Sequence, residues 1–230
     1  MDLDGVDTVL LDAGGVLLLP DPAGLREVLA GTGIQIGEEE TRRAHYACMA
    51  ELDRMDRLDW PAVDAFLLAH LGVPPDMTAG LLGAVADLYL ARPWVPIPGA
   101  ADALLSLQAS GYRLAVVSNA TGTMEQQLLA GQVCSVDGGD CAKVDVVIDS
   151  DVVGVEKPDP RIFELALDAI GADRSTSVYI GDTNYFDVRG ARAAGIRVVH
   201  ADPYGLCPRA EDHQHVRDLP ELAELLRKRP

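Results

Sequence analysis

Five short, largely apolar runs recur along the chain, at 8–11, 113–117, 144–148, 177–180 and 197–200. From residue 100 onward they alternate with segments whose apolar residues repeat every three to four positions: 100–109, 122–130, 160–170, 188–194 and 221–229. Short apolar runs separated by amphipathic helices predict a parallel sheet covered by helices on both faces. In such sheets ligands gather at the carboxyl ends of the strands, near a switch in strand order. Asp12, Ser118 and Asp182 each fall at or just past the end of a predicted strand.

Residues 21–92 have a different pattern. Helical spacing is read over 23–30, 38–57, 61–71 and 77–91, with Gly and Pro between the segments and no strand candidate among them. The block ends in Arg92-Pro93-Trp94-Val95-Pro96-Ile97-Pro98-Gly99, which reads as a hinge or linker. The expected organisation is a core from residues 1–20 and 93–230, interrupted by an all-helical insertion at 21–92.

At 230 residues and 48% hydrophobic content, the chain can bury a full core. Its net charge of −17 argues against nucleic acid or an anionic membrane as a partner. It would also repel a phosphorylated substrate at long range, so such a substrate would need a local cation or metal. No run has transmembrane length. The first apolar run follows acidic rather than basic residues, as in a core strand and not a signal peptide. A cytoplasmic protein, monomeric or homodimeric, is expected. Cys48, Cys134, Cys141 and Cys207 fit no zinc spacing and read as ordinary thiols, although Cys134 and Cys141 could pair across a Gly-rich loop. His213 and His215 lie in a polar tail and read as a solvated loop in preference to a metal site.

Four polar clusters remain: Asp12-Ala13-Gly14-Gly15-Val16, Val116-Val117-Ser118-Asn119, Glu156-Lys157-Pro158-Asp159-Pro160, and Gly181-Asp182-Thr183-Asn184-Tyr185-Phe186-Asp187. Together they resemble the motifs of the haloacid dehalogenase (HAD) superfamily, and the resemblance covers nearly the whole chain. It implies a three-layer Rossmann-like α/β core with a mainly parallel sheet and a helical cap. It implies that Asp12 is a nucleophile forming a covalent aspartyl intermediate. Ser118, with Asn119 beside it, would bind substrate oxygen, and Lys157 would neutralise the nucleophile and a phosphoryl group. Mg²⁺ would be held by Asp12, Asp182 and the Gly14 carbonyl, with Asp187 as the supporting acid. Asp2-Leu3-Asp4-Gly5-Val6 imitates the first motif but follows no strand, so it is set aside.

Phosphatases of this superfamily carry an acid two residues after the nucleophile, to protonate the leaving group and then activate water. Here that residue is Gly14. General acid–base help is typically worth about 10²–10⁴-fold. The expectation is a slow phosphatase acting on a small phosphorylated metabolite, in which Gly14→Asp should raise turnover. A cap residue such as His45, Tyr46, Asp53, Asp56 or His70 could stand in for the acid. Two alternatives stay open. The 2-haloacid dehalogenases attack carbon and lack this acid, and Arg42 or Arg43 could hold a halide or carboxylate. A protein that only binds a phospholigand or a partner is the other. Phosphonoacetaldehyde hydrolases, which use a cap lysine, are excluded because residues 21–92 contain none.

Overall fold

A computed structural model describes residues 3–227. Its main sheet contains β1 (Thr8–Leu11), β4 (Arg113–Ser118), β7 (Val146–Asp149), β8 (Ser177–Gly181), β9 (Arg197–Ala201) and β10 (Gln214–Val216), in the order β10-β9-β8-β1-β4-β7. Every pairing in it is parallel. A separate two-stranded ribbon pairs β5 (Cys134–Ser135) with β6 (Ala142–Lys143), and the short α7 (Ser150–Val153) follows β7. Leu11 stands in register with Val116 on one side and Ile180 on the other. The chain therefore leaves three neighbouring strands at the same end of the sheet, and Asp12, Ser118 and Asp182 share one rim.

The period-two alternation of the strands sorts their side chains onto two faces. Val9, Leu11, Val116, Val178 and Ile180 face a core formed with α5 (Ala100–Ala109), α6 (Met124–Ala130) and α10 (Leu219–Arg227). Leu10, Ala115, Val117 and Tyr179 face the opposite core, formed with α8 (Arg161–Ile170) and α9 (Arg189–Ala193). The result is the expected three-layer α/β arrangement. Each fully buried Leu or Phe contributes roughly 1.5–3 kcal/mol by leaving water.

Residues 22–91 form α1 (Pro22–Val28), α2 (Glu38–Met55), α3 (Trp60–His70) and α4 (Pro75–Ala91). They enclose a core of their own around Leu25, Leu52, Leu67 and Leu88. Helix α2 starts with Glu38, Glu39 and Glu40, placing negative charge at the positive end of the helix dipole. The Asp59 carboxylate accepts the Ala62 N–H to cap α3.

Several segments differ from the sequence reading. The Pro-rich linker contains β3 (Trp94–Pro96), paired antiparallel with β2 (Leu18–Pro20). A two-stranded ribbon has free edges, so it tolerates prolines that lack an N–H donor. Asn184–Val188 forms a π-helical turn leading into α9. The polar tail contains β10, in which His215 pairs in register with His200. His213 is buried, not solvated; its ring stacks with that of His200 and lies tilted against that of His215. All four cysteines are free, Cys134 and Cys141 included. Asp4 is exposed in a turn at the opposite end of β1 from Asp12. Asp2, and residues 228–229 of the expected last helix, lie outside the described residues. Among the described residues no helix is long and apolar enough to cross a membrane.

Candidate active site

The turn after β1 sets the position of Asp12. Its backbone N–H donates to the Ile180 carbonyl at 2.8 Å, which extends the sheet ladder by one residue. Its Oδ1 accepts the Ala13 N–H at 2.7 Å. Gly15 adopts φ +67°, and a Cβ there would lie 1.9 Å from Asp182 Oδ2. The turn can thus fold against Asp182 only with glycine at this position. The Tyr46 hydroxyl, from α2, donates to the Gly15 carbonyl at 2.7 Å and holds the turn from above.

Lys157 joins the strand ends. Asn119, just past β4, accepts the Lys157 N–H at 2.7 Å and donates to the Lys157 carbonyl at 3.0 Å. This two-point clamp fixes the lysine backbone. Each end of the amide keeps a further N–H or lone pair, and Asn119 lines the cavity. The buried Lys157 ammonium lies 2.8 Å from Asp12 Oδ1, 2.8 Å from Asp187 Oδ1 and 3.0 Å from the Tyr179 hydroxyl. The Tyr179 hydroxyl donates to Asp187 Oδ1 at 2.7 Å, and Thr183 donates its N–H and hydroxyl to Asp187 Oδ2. Both carboxylate oxygens of Asp187 are therefore held by protein donors.

These contacts divide the two acids electrically. Burial pushes the Asp12 carboxyl up to about 8; Lys157 opposes the rise, and the charges of Asp187 and Asp182 add to it. Burial alone would raise Asp187 as well. The charge and hydrogen bonds of Lys157, with those of Thr183 and Tyr179, outweigh burial and hold it below the usual carboxylate range. Lys157 is raised, because Asp12 and Asp187 outweigh its desolvation. One oxygen from each of Asp12, Asp182 and Asp187 lies within 4.8 Å of the others. One lysine thus faces three carboxylates made of hard oxygen donors, a donor set that suits Mg²⁺.

Asp12, Gly14, Ser118, Asn119, Lys157, Asp182 and Asp187 all line one cavity of about 390 Å³. Its other walls come largely from the helical block and are mostly apolar: Cys48, Met49, Leu58, Trp60, Val63, Leu67, Tyr89 and Leu90. Phe186, following the fourth motif, and Trp94, from β3, continue that surface. Asp64 is the one carboxylate on the helical side, and burial pushes it up to about 6. Arg43, expected to bind substrate, is exposed, does not line the cavity and stacks over the Tyr204 ring. The reason is helical geometry. At about 100° per residue, Arg43 lies roughly 200° around α2 from His45, the residue of that turn that does enter the cavity.

His45 Nε2 lies 3.1 Å from Asp182 Oδ2, and the buried His45 Nδ1 has no hydrogen-bond partner. Trp94 packs edge-on to His45, with ring centroids 6.0 Å apart. A Cβ on Gly14 would meet Trp94 Cζ3 at 3.1 Å. The indole thus covers the space that an acid at position 14 would enter.

Further contacts link α2 to the core side of this site. The Asp53 carboxylate accepts the Asn184 and Tyr185 N–H groups at 2.8 and 2.7 Å. Burial still pushes it up to about 7, outweighing those two bonds. Asp56 pairs with Arg189, and Tyr204 donates to Glu39 at 2.8 Å. Tyr179, Thr183 and Trp94 were not singled out from the sequence. A tyrosine within a buried strand reads as core, and nothing local shows that Trp94 returns over Gly14.

The fold and the site define an α/β protein with a carboxylate–lysine centre at the sheet's carboxyl rim, beneath a helical block. A sequence profile of haloacid dehalogenase-like hydrolases matches residues 6–195. The chain is 32% identical to a glyceraldehyde 3-phosphate phosphatase of Methanothermobacter thermautotrophicus over 96% of each chain. It is 37% identical to a phosphoserine phosphatase of Thermus thermophilus over 56% of this chain and 51% of that one. It is 33% identical to an (S)-2-haloacid dehalogenase of Burkholderia cepacia over 57% and 55% respectively. Two of these three matches span only about half the relative's length, 51% for the phosphoserine phosphatase and 55% for the dehalogenase. Among solved structures, a dehalogenase is 25% identical with a TM-score of 0.64, covering 99% of this chain and 100% of that one. A HAD phosphatase from Thermococcus onnurineus has a TM-score of 0.61 at 22% identity, covering 96% and 98%. The chain belongs to the haloacid dehalogenase-like hydrolase family.

Proposed function

We propose that the protein is a Mg²⁺-dependent phosphatase for phosphomonoesters with an apolar leaving group, working through an aspartyl-phosphate at Asp12. The observation that carries this reading is the imbalance at the sheet rim, where one ammonium stands between Asp12 and Asp187, with Asp182 alongside. That excess of negative oxygen suits a divalent cation and, across it, a phosphoryl group. Asp12, Asp182 and the Gly14 carbonyl would hold Mg²⁺, which when bound neutralises phosphoryl charge. Asp187 keeps Lys157 in place, since its own oxygens are engaged.

Lys157 and a bound cation would keep Asp12 ionised; in the first step its oxygen attacks phosphorus, and the bond to the leaving oxygen breaks with its electron pair. Lys157 and the Ser118 hydroxyl bind the phosphoryl oxygens. His45, in its imidazolium form beside the Asp182 carboxylate, passes its Nε2 proton to the departing oxygen. In the second step water attacks phosphorus and gives its proton to His45 Nε2, inorganic phosphate leaves, and the Asp12 carboxylate is restored. With Gly14 in place of an acid, both proton transfers are weakly assisted, and the second suffers more because water is a poor nucleophile. The helical block acts as a cap that excludes water and supplies an apolar surface to the leaving group.

This cavity does not suit the polar bodies of phosphoserine or glyceraldehyde 3-phosphate. The test is Mg²⁺-dependent phosphate release from an aryl phosphate beside those two compounds, with Asp12→Asn as control. Release that needs both Mg²⁺ and Asp12 and favours the aryl ester supports the reading. Equal or better turnover of the two polar esters overturns the leaving-group assignment.

Gly14 also favours a second reading. Attack on carbon with halide departure requires no leaving-group proton, so a 2-haloacid dehalogenase would not need the missing acid. Chloride release from 2-chloropropionate without added metal, lost in Asp12→Asn, would establish it. The three-acid cluster, which favours a cation, places it second.

A further inference from the structure

A second group of donor atoms lies behind the acidic one and is chemically unlike it. His200 on β9 and His215 on β10 are partners in a parallel ladder, so their side chains share a face. Cys207 comes from the loop between these strands, and His213 lies just before β10. One nitrogen or sulfur from each of the four residues lies within 4.8 Å of the others. His200 Nδ1 and His213 Nε2 are 2.8 Å apart, and Cys207 Sγ is 3.7 Å from His213 Nε2.

The surroundings orient these donors. The Asp202 carboxylate accepts the Leu206 and Cys207 N–H groups at 2.8 and 3.0 Å, fixing the loop. The Arg209 N–H points at the Cys207 sulfur at 3.4 Å. His200 donates from Nε2 to the Asp182 carbonyl at 2.9 Å, which leaves a lone pair on Nδ1 facing the cluster. A ligating histidine commonly places its other ring N–H on a backbone carbonyl in this way. The buried His215 Nε2 has no hydrogen-bond partner. A group that served only the protein's own hydrogen bonding would not leave it unsatisfied.

We propose that Cys207, His200, His213 and His215 bind one zinc ion. A sulfur and three imidazole nitrogens suit Zn²⁺ in a closed tetrahedral site, whereas Mg²⁺ requires oxygen. On binding, the Cys207 thiol gives its proton to solvent. The proton on His213 Nε2 moves to Nδ1, so both nitrogens that face each other become ligands. Four protein donors leave no position for water, so the ion is structural. It fastens β9, β10 and their loop, and through His200 it steadies the backbone of Asp182.

The experiment uses the untagged full chain, stripped with a chelator, reloaded with one equivalent of Zn²⁺, dialysed and assayed for metal. The expected result is one zinc per chain, retained when Asp12 and Asp182 are both changed to Asn and lost in Cys207→Ser and in His215→Gln. In the Co²⁺ form, intense visible bands with a sulfur-to-cobalt band in the near ultraviolet are expected, the latter absent in Cys207→Ser. Circular dichroism confirms that each variant is folded, and the two single variants back each other up. Two results would overturn the proposal. In one, the folded parent chain retains no zinc. In the other, zinc is lost with the acidic pair and kept in Cys207→Ser.

Discussion

At the floor of the cavity, Lys157 lies 2.8 Å from both Asp12 and Asp187. At its roof, Met49, Trp60, Val63, Leu67 and Tyr89 present carbon, with Asp64 and His45 the ionisable exceptions besides the Cys48 thiol and the Tyr89 hydroxyl. The floor comes from strand ends that are far apart in sequence and fixed by sheet register. The roof comes from helices packed around a separate core. On the proposed reading the floor sets the reaction and the roof sets the leaving group. Changes to the floor should then act on turnover of every substrate, and changes to the roof should separate one substrate from another.

The sharpest way to break this division is at Asp12. Asp12→Asn should lower phosphate release by on the order of 10³-fold or more, for apolar and polar esters alike, with the fold intact by circular dichroism. Lys157→Met comes next. It leaves Asp12 and Asp187 buried without their cation, so a denaturant melt of the metal-free protein should show a loss of roughly 3–5 kcal/mol, with Mg²⁺ restoring part of it. His45→Ala probes the one roof residue given a part in the chemistry. It should cost about 10²-fold on an alkyl phosphate and far less on an activated aryl phosphate. Equal losses on the two would contradict its role as proton donor.

Trp60→Ser tests the roof. We expect KM to rise by about tenfold for an apolar ester and kcat to change little, consistent with roughly 1–3 kcal/mol for a partly lost apolar contact. The smallest effect expected is one of pH. Burial sets the Asp12 carboxyl above its unfolded value, at about 8. Its contribution to stability is therefore fully present below about 4 and is lost as pH rises through about 8. In a chelator, the melting temperature should fall by a few degrees between pH 6 and pH 9, and Asp12→Asn should flatten that fall.

The same division explains what could be read from the sequence. Asp12, Ser118, Lys157 and Asp182 follow strand ends or open a helix, and short-range pattern is enough to place them. Strand order depends on long-range pairing, and the Asn119 clamp on Lys157 reaches across 38 positions, so no local pattern shows that Asn119 fixes the lysine backbone as well as lining the cavity. Arg43 and His45 sit two positions apart on one helix, and only the packing of α2 decides which of them faces the cavity. The Pro-rich stretch gave no sign of returning along Leu18–Pro20, although that return lays Trp94 over Gly14. It follows that Gly14→Asp alone should gain little, because the indole must first move. Gly14→Asp combined with Trp94→Leu should gain more on esters with poor leaving groups.

On the proposed reading an aspartyl-phosphate forms at Asp12, and its hydrolysis lacks the help of an acid at position 14. The direct measurement is a rapid acid quench of the protein during turnover of an aryl phosphate with Mg²⁺, followed by peptide mass analysis. The expected result is a burst of aryl alcohol followed by a slower steady rate, with phosphate found covalently on the peptide containing Asp12. Turnover without a burst and without phosphate on that peptide would contradict it.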